Sequence, residues 1–147
     1  MSFHNRPYAG DVAPTAAWAT LQSDVQAALV DVRTVAEWSF VGVADLSAVA
    51  KRPIFQEWQT FPSMQVDPAF ADRVAQALEA QGADRDAPVF FLCRSGARSQ
   101  AAAAALAAQG YTRCFNVEGG FEGPLDAHRR RGAVAGWKAD GLPWSQS

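Results

Sequence analysis

A chain of 147 residues, 49% hydrophobic and 19% charged, is long enough to fill one core and is not disordered by composition. Its 13 Lys and Arg against 15 Asp and Glu leave a net charge of −2, so no global basic field exists to hold a phosphate backbone and nucleic acid is not an expected partner. No apolar run approaches the roughly 18 residues that cross a bilayer, and the polar residues 1–7 lack a secretory h-region, so no membrane partner is expected and the cytoplasm is the expected location.

Residues 9–12 read as a short strand leading into a helix over 14–22, where Pro14 suits a first turn and Trp18 and Leu21 share a face. The run Ala27-Ala-Leu-Val-Asp-Val32 has the continuous apolar character of a strand buried on both faces of a parallel sheet, and it brings Asp31 and Arg33 to its carboxyl end. A helical turn over 36–38 follows, then strands over 40–43 and 53–58 separated by a polar stretch with Lys51 and Arg52. The clearest helix covers 67–81, with Asp67 as N-cap, Pro68 in the first turn, Phe70, Val74, Ala77 and Leu78 on one face, and Gly82 as the stop.

A buried strand over 88–93 then runs into a short loop, 94–97, and a helix over 98–109 ended by Gly110. The alanine run 101–105 needs no reading beyond helix propensity. Residues 113–117 form the last strand of the series, followed by the turn-rich 118–124, the basic His128-Arg-Arg-Arg131 and a tail over 136–144. Strands alternating with helices define an α/β fold with a mostly parallel central sheet and helices on both faces, in one domain over 1–147 whose core spans about 9–144. Ligands of such sheets sit beyond the carboxyl ends of the strands, the edge to which Asp31, Arg33 and Cys93 all belong.

The chain has two cysteines and two histidines, without the paired spacing of a zinc site or a disulfide framework, so no metal is expected. Cys93 differs from Cys114 in its surroundings. It precedes a loop containing Gly96 and the start of a helix, with Arg94 and Arg98 nearby. Loop N–H groups, the helix terminus and guanidinium groups favour a thiolate, which is the nucleophilic form. Cys114 lies inside an apolar strand, where burial and inertness are expected; a resolving thiol for Cys93 is the alternative.

At these residues the sequence resembles the rhodanese family of sulfurtransferases. Cys93-Arg-Ser-Gly-Ala-Arg-Ser99 is similar to the family's active-site loop, Leu29-Val-Asp-Val-Arg-Thr-Val-Ala-Glu-Trp38 to its amino-terminal signature, and the likeness covers nearly the whole chain. The resemblance implies a rhodanese-like single-domain enzyme in which Cys93 takes sulfane sulfur from a donor such as thiosulfate, becomes a persulfide, and passes the sulfur to a thiol or cyanide. It implies no redox or metal cofactor, and it leaves room for a sulfur-relay protein as partner. Many family members carry a His soon after the Glu-aromatic pair; here the chain reads Trp38-Ser-Phe-Val-Gly-Val-Ala-Asp-Leu46, without one.

The chemistry assigns the remaining roles. Attack on the outer sulfur of thiosulfate with loss of sulfite needs an ionised Cys, cation density and N–H donors. Arg98 is expected to hold the donor's oxyanion end or to shape the loop, and Arg94 to attract anions from outside. The N–H groups of Arg94, Ser95, Gly96, Ala97, Arg98 and Ser99 are expected to cradle the sulfur, with Ser99 more a helix cap than a hydroxyl contact. Asp31 and Arg33 are expected to brace the loop, a surface salt bridge being the alternative. Glu37 and Trp38 are assigned to ion pairing and packing. The aromatic stretch 55–64 reads as core or lid packing, with an entrance for a bulky acceptor as the other reading, and the basic 128–131 as a solvated turn or an anion-attracting rim.

Two rival functions follow from the same residues. Cys-dependent phosphatases and arsenate reductases also place a Cys-loop-Arg before a helix, but with five residues between Cys and Arg; Arg94-Ser-Gly-Ala97 supplies four, a ring better sized for one sulfur atom than for a phosphoryl group. The other rival is a sulfur-carrier or binding module acting with a partner protein.

Overall fold

The computed structural model describes residues 7–60 and 63–146. Five strands form one sheet in the order β1 (Gly10–Val12), β8 (Cys114–Val117), β7 (Val89–Leu92), β2 (Ala28–Asp31) and β4 (Ile54–Phe55), and every neighbouring pair is parallel. The alternation of side chains along a strand sorts the apolar runs into two cores. Val30, Val89 and Phe91 face α3 (Phe70–Ala80) and α4 (Ala97–Ala107), whereas Leu29, Phe90 and Leu92 face Ala17 and Leu21 of α1 (Pro14–Ser23) together with Phe121 and Trp137. The expected α/β architecture, with helices on both faces of a parallel sheet, is therefore the one observed.

Four local expectations change. Of residues 40–43 only Val43 is in a strand: a capping box between Thr34 and Glu37 starts α2 (Val35–Phe40), and the chain pairs only from Val43, as β3 (Val43–Ala44) antiparallel to β9 (Trp144–Ser145). Of residues 53–58 only β4 joins the sheet. Trp58 turns into the core against Phe70, 5.1 Å between ring centroids, before the small hairpin of β5 (Gln59–Thr60) and β6 (Gln65–Val66). Asp67 does not cap α3. Its Oδ1 accepts from the Ala69 N–H and its carbonyl from the Phe70 N–H, forming a turn one step before the helix. Finally, α4 begins at Ala97 with Gly96 as its N-cap residue.

Candidate active site

Register builds the site. Asp31 at the end of β2 lies beside Leu92 at the end of β7, so the residue after Leu92, Cys93, leaves the sheet at its carboxyl edge. The chain there must turn at once into α4, and Gly96 makes the turn at φ +125°, a conformation that disfavours residues with a Cβ. Its N–H then points at the Cys93 Sγ, 3.0 Å away. Gly96 is the N-cap residue of α4, so the sulfur lies against the amino end of that helix, and a helix start carries roughly half a positive charge.

Ser99 completes the sulfur's surroundings, and here the capping expectation is corrected. Because α4 begins at Ala97, Ser99 lies within its first turn, fully buried, with Oγ 3.1 Å from the Cys93 Sγ and 3.0 Å from the Gly96 carbonyl. The hydroxyl also donates to Oδ1 of Asn116 at the end of β8, whose Nδ2 donates to Asp11 Oδ1 at 3.0 Å. Asn116 was not singled out in the sequence; a polar residue buried in the apolar Cys114–Val117 strand is the signal that could have found it.

The two loop arginines do different things. The guanidinium of Arg98 is bonded to Glu37 through both terminal nitrogens, at 2.7 and 2.9 Å. Those bonds and the charge of Glu37 hold Arg98 above its ordinary pKa against the cost of burial, with smaller help from Cys93 and Asp31. Burial opposes ionisation of Glu37, yet the Arg98 bonds, the Thr34 N–H and the charge of Arg33 hold its carboxyl below the usual value. Glu37 thus ties α2 to α4. Arg94, Ser95 and Ala97 are exposed, and an open cleft of about 360 Å³ lies between Ser95, Gly96 and Ala97 on one side and Asp11, Asn116 and Glu118 on the other. Cys93 itself is only 1% exposed.

Asp31 and Arg33 form a buried pair and not a surface bridge. Arg33 Nη2 lies 2.6 Å from Asp31 Oδ2 and 2.8 Å from the Gly42 carbonyl, and both residues are at most 1% exposed. The guanidinium lies 4.3 Å from the centroid of Phe121, whose N–H donates to the Cys93 carbonyl at 2.7 Å. Arg33 therefore reaches the loop through Phe121. Gly120 permits that contact: at φ +62° its backbone lies so close that a Cβ would overlap the Cys93 carbonyl oxygen and the carbonyl carbon of Arg94. The sequence signal was the pair Gly119-Gly120 directly after a strand.

Cys114 sits at the other end of the neighbouring strand. It pairs in register with Val89, and the four residues from Val89 to Cys93 span about 13 Å of strand. A disulfide between them would need the backbone to move. Burial also pushes the Cys114 thiol up to about 12. Of the aromatic stretch, Trp58 is core and Phe55, 38% exposed, packs on Trp38, whereas Phe61 and Pro62 lie outside the described residues, as does His4. Among the described residues no three His, Cys, Asp or Glu side chains group as metal ligands, and no helix is long and apolar enough to cross a membrane.

The chain is similar to known proteins over most of its length. The rhodanese-like domain family matches residues 14–126. Uncharacterized protein RP600 of Rickettsia prowazekii (strain Madrid E) is 36% identical over 134 residues, 91% of this chain and 95% of its own. The thiosulfate sulfurtransferase GlpE of Pseudomonas fluorescens (strain Pf0-1) is 50% identical over a shorter stretch of 42 residues, 29% of this chain and 38% of its own. Among solved structures, Rv0390 of M. tuberculosis superposes with a TM-score of 0.81 at 46% identity, covering 95% of this chain and 99% of that one. The polysulfide-sulfur transferase homodimer of Wolinella succinogenes, at 21% identity and a TM-score of 0.59 over 96% and 80% of the two chains, shares the fold. On the match over 113 of its 147 residues and on these relatives, the chain belongs to the rhodanese-like domain family, whose known activity is of the sulfurtransferase kind.

Proposed function

We propose that this protein is a sulfurtransferase that carries sulfane sulfur on Cys93. The observation that carries the reading is the Cys93 Sγ at the amino end of α4, within hydrogen-bond reach of the Gly96 N–H and the Ser99 hydroxyl. In the loading step the thiolate attacks the outer sulfur of a donor such as thiosulfate. A new S–S bond forms at Cys93, the donor's S–S bond breaks, and sulfite leaves with the electron pair. In the second step a thiolate or cyanide attacks the terminal sulfur, and Cys93 departs as thiolate. Neither step needs an external oxidant, reductant or metal.

The surroundings suit each step. Negative charge on Sγ, or on the outer sulfur of the persulfide, is favoured by the helix terminus and by the loop N–H groups of residues 94–99. Exposed Arg94 meets an incoming anion, while Arg98, committed to Glu37, acts by shaping the loop. Asp31 and Arg33 act as positioning residues through Phe121.

Intact-protein mass spectrometry after brief exposure to thiosulfate tests this directly. Wild type is expected to gain about one sulfur atom (~32 Da) and to lose it to cyanide or dithiothreitol, while Cys93→Ser gains nothing. A gain in Cys93→Ser equal to wild type would remove the nucleophile assignment, and no gain in either would remove thiosulfate as donor.

A further inference from the structure

The active-site loop has a second neighbour that the sulfur chemistry does not use. The Arg94 carbonyl accepts from the N–H groups of Glu122 and Gly123, and the chain leaves from there into residues 124–131 and returns at Gly132, whose N–H donates to the Glu122 carbonyl at 2.6 Å. Arg131 closes the base further by donating from Nη1 to the Gly123 carbonyl at 2.7 Å. Arg129 is three residues from Gly132, so the tip of this loop lies within about 11 Å of backbone from the base that bonds the Arg94 carbonyl.

The tip is basic and held in shape. His128, Arg129 and Arg130 are exposed, and none of Arg94, Arg129, Arg130 and Arg131 has a carboxylate partner among the described residues. Asp126 spends its Oδ1 on the N–H groups of His128 and Arg130, at 2.8 and 2.9 Å, and exchanges backbone bonds with Arg129 and Arg130. That turn holds Arg129 at φ +62°, a conformation that non-glycine residues rarely adopt. A protein with a net charge of −2 thus concentrates positive charge without carboxylate partners on one preformed loop whose base bonds the loop of the reactive sulfur.

We propose that this loop docks an acidic polypeptide whose thiol receives the sulfur of Cys93; the inference rests on the sulfur-transfer reading. Solvent-exposed arginines hold a small anion weakly, because water and salt screen each one, but several engaged together steer and orient a macromolecule. Leu125 and Val134, 49% and 56% exposed beside the charges, supply the apolar contact that a protein surface uses and a small anion does not. In the transfer the peptide thiolate attacks the terminal sulfur, a new S–S bond forms on the peptide, the bond to Cys93 Sγ breaks, and Cys93 leaves as thiolate.

Two synthetic thiol peptides, identical except for Glu in one where the other has Gln, would test this with thiosulfate-loaded protein. The acidic peptide is expected to take the sulfur about tenfold faster at low salt, with the ratio falling toward one at high salt, as screening of exposed charges requires. The ratio is also expected to fall toward one in Arg129→Gly/Arg130→Gln, in which glycine suits the positive φ, while thiosulfate loading stays at the wild-type rate. Fluorescence anisotropy of the peptides on unloaded protein reads the docking without chemistry. Equal rates and equal binding for the two peptides in wild type, a preference that survives in the variant, or displacement of the acidic peptide by a single-stranded oligonucleotide that binds more tightly would each overturn the proposal. Failure to load from thiosulfate would remove thiosulfate as donor and would not touch the docking, which the anisotropy on unloaded protein would still decide.

Discussion

The two cysteines stand on neighbouring parallel strands, both are buried to within 1% of complete, and their settings differ because they lie at opposite ends of the sheet. Cys93 follows β7 at the carboxyl edge, where the chain turns into α4 and the Gly96 N–H donates to the sulfur. Cys114 opens β8 at the amino edge, packed among Tyr111, Val89 and Leu106, with only a long 3.7 Å contact to the Tyr111 carbonyl and a thiol pushed up by burial. Depth alone does not make a thiol inert or reactive. In a parallel sheet the carboxyl edge supplies helix amino ends and the other edge does not, so the same residue type acquires chemistry from its position along the strand.

The largest effect is expected where the Cys93 side of this comparison depends on a single backbone approach. Gly120→Ala would place a Cβ against the carbonyl groups of Cys93 and Arg94 and force a strained φ, so stability should fall by about 3 kcal/mol and the loop should move. Urea unfolding together with sulfur loading checks this, and an unchanged midpoint would show that the 118–121 turn yields easily. Next is labelling of the thiols themselves. Native protein treated with iodoacetamide near pH 8 should carry the label on Cys93 only, since the Cys114 thiol at about 12 is protonated there by about ten thousand to one, and unfolding should expose both. Comparable native labelling of Cys114 would break the contrast between the two edges.

Smaller changes sharpen it. Cys114→Ala should cost about 1 kcal/mol for the emptied space and leave sulfur transfer unchanged, whereas lost transfer in a stably folded variant would return Cys114 to the chemistry. Ser99→Ala removes the polar atom 3.1 Å from Sγ and leaves Asn116 Oδ1 buried without its donor, so the sulfur's surroundings shift and loading should slow by about tenfold. Loading at the wild-type rate would reduce Ser99 to a packing residue.

How much of this was readable without coordinates follows the range of the interactions. The parallel sheet, α3 with its Gly82 stop, and the strand-loop-helix that carries Cys93 are set by local periodicity and turn residues, and the sequence displayed them. The errors fall where distant segments decide. β3 exists because Val43–Ala44 meets Trp144–Ser145 from the far end of the chain, a pairing without local signal. For Arg98 the sequence leaves two roles open, the donor's oxyanion end or the shape of the loop, because its partner, Glu37, is 61 positions away. Ser99 reads in the sequence as more a cap than a hydroxyl contact; the cap position falls to Gly96, and Ser99 inside the first turn is buried against Asn116 of the sheet, 17 positions away. The sequence did contain the Thr34 and Glu37 spacing of a capping box, which predicts a helix running beyond 38 and would have removed the strand at 40–43.

The smallest effect concerns the pair that ties α2 to the loop. Glu37 is held below its ordinary carboxyl value in the folded protein, so its ionised form binds better there than in the unfolded chain. A group of this sign contributes stability that is present above its unfolded value, 4.5, and is lost as the pH falls through the lower folded value. Glu37→Gln should therefore be less stable than wild type by about 1 kcal/mol at pH 7, and the gap should close in acid as wild type takes up the proton that the variant never needed to lose. Unfolding midpoints of the two proteins across the range from neutral to about pH 3 measure this. A gap independent of pH would assign the loss to the Thr34 capping contacts, which an amide also disturbs, and a gap that widens in acid would contradict the sign of the Arg98 interaction.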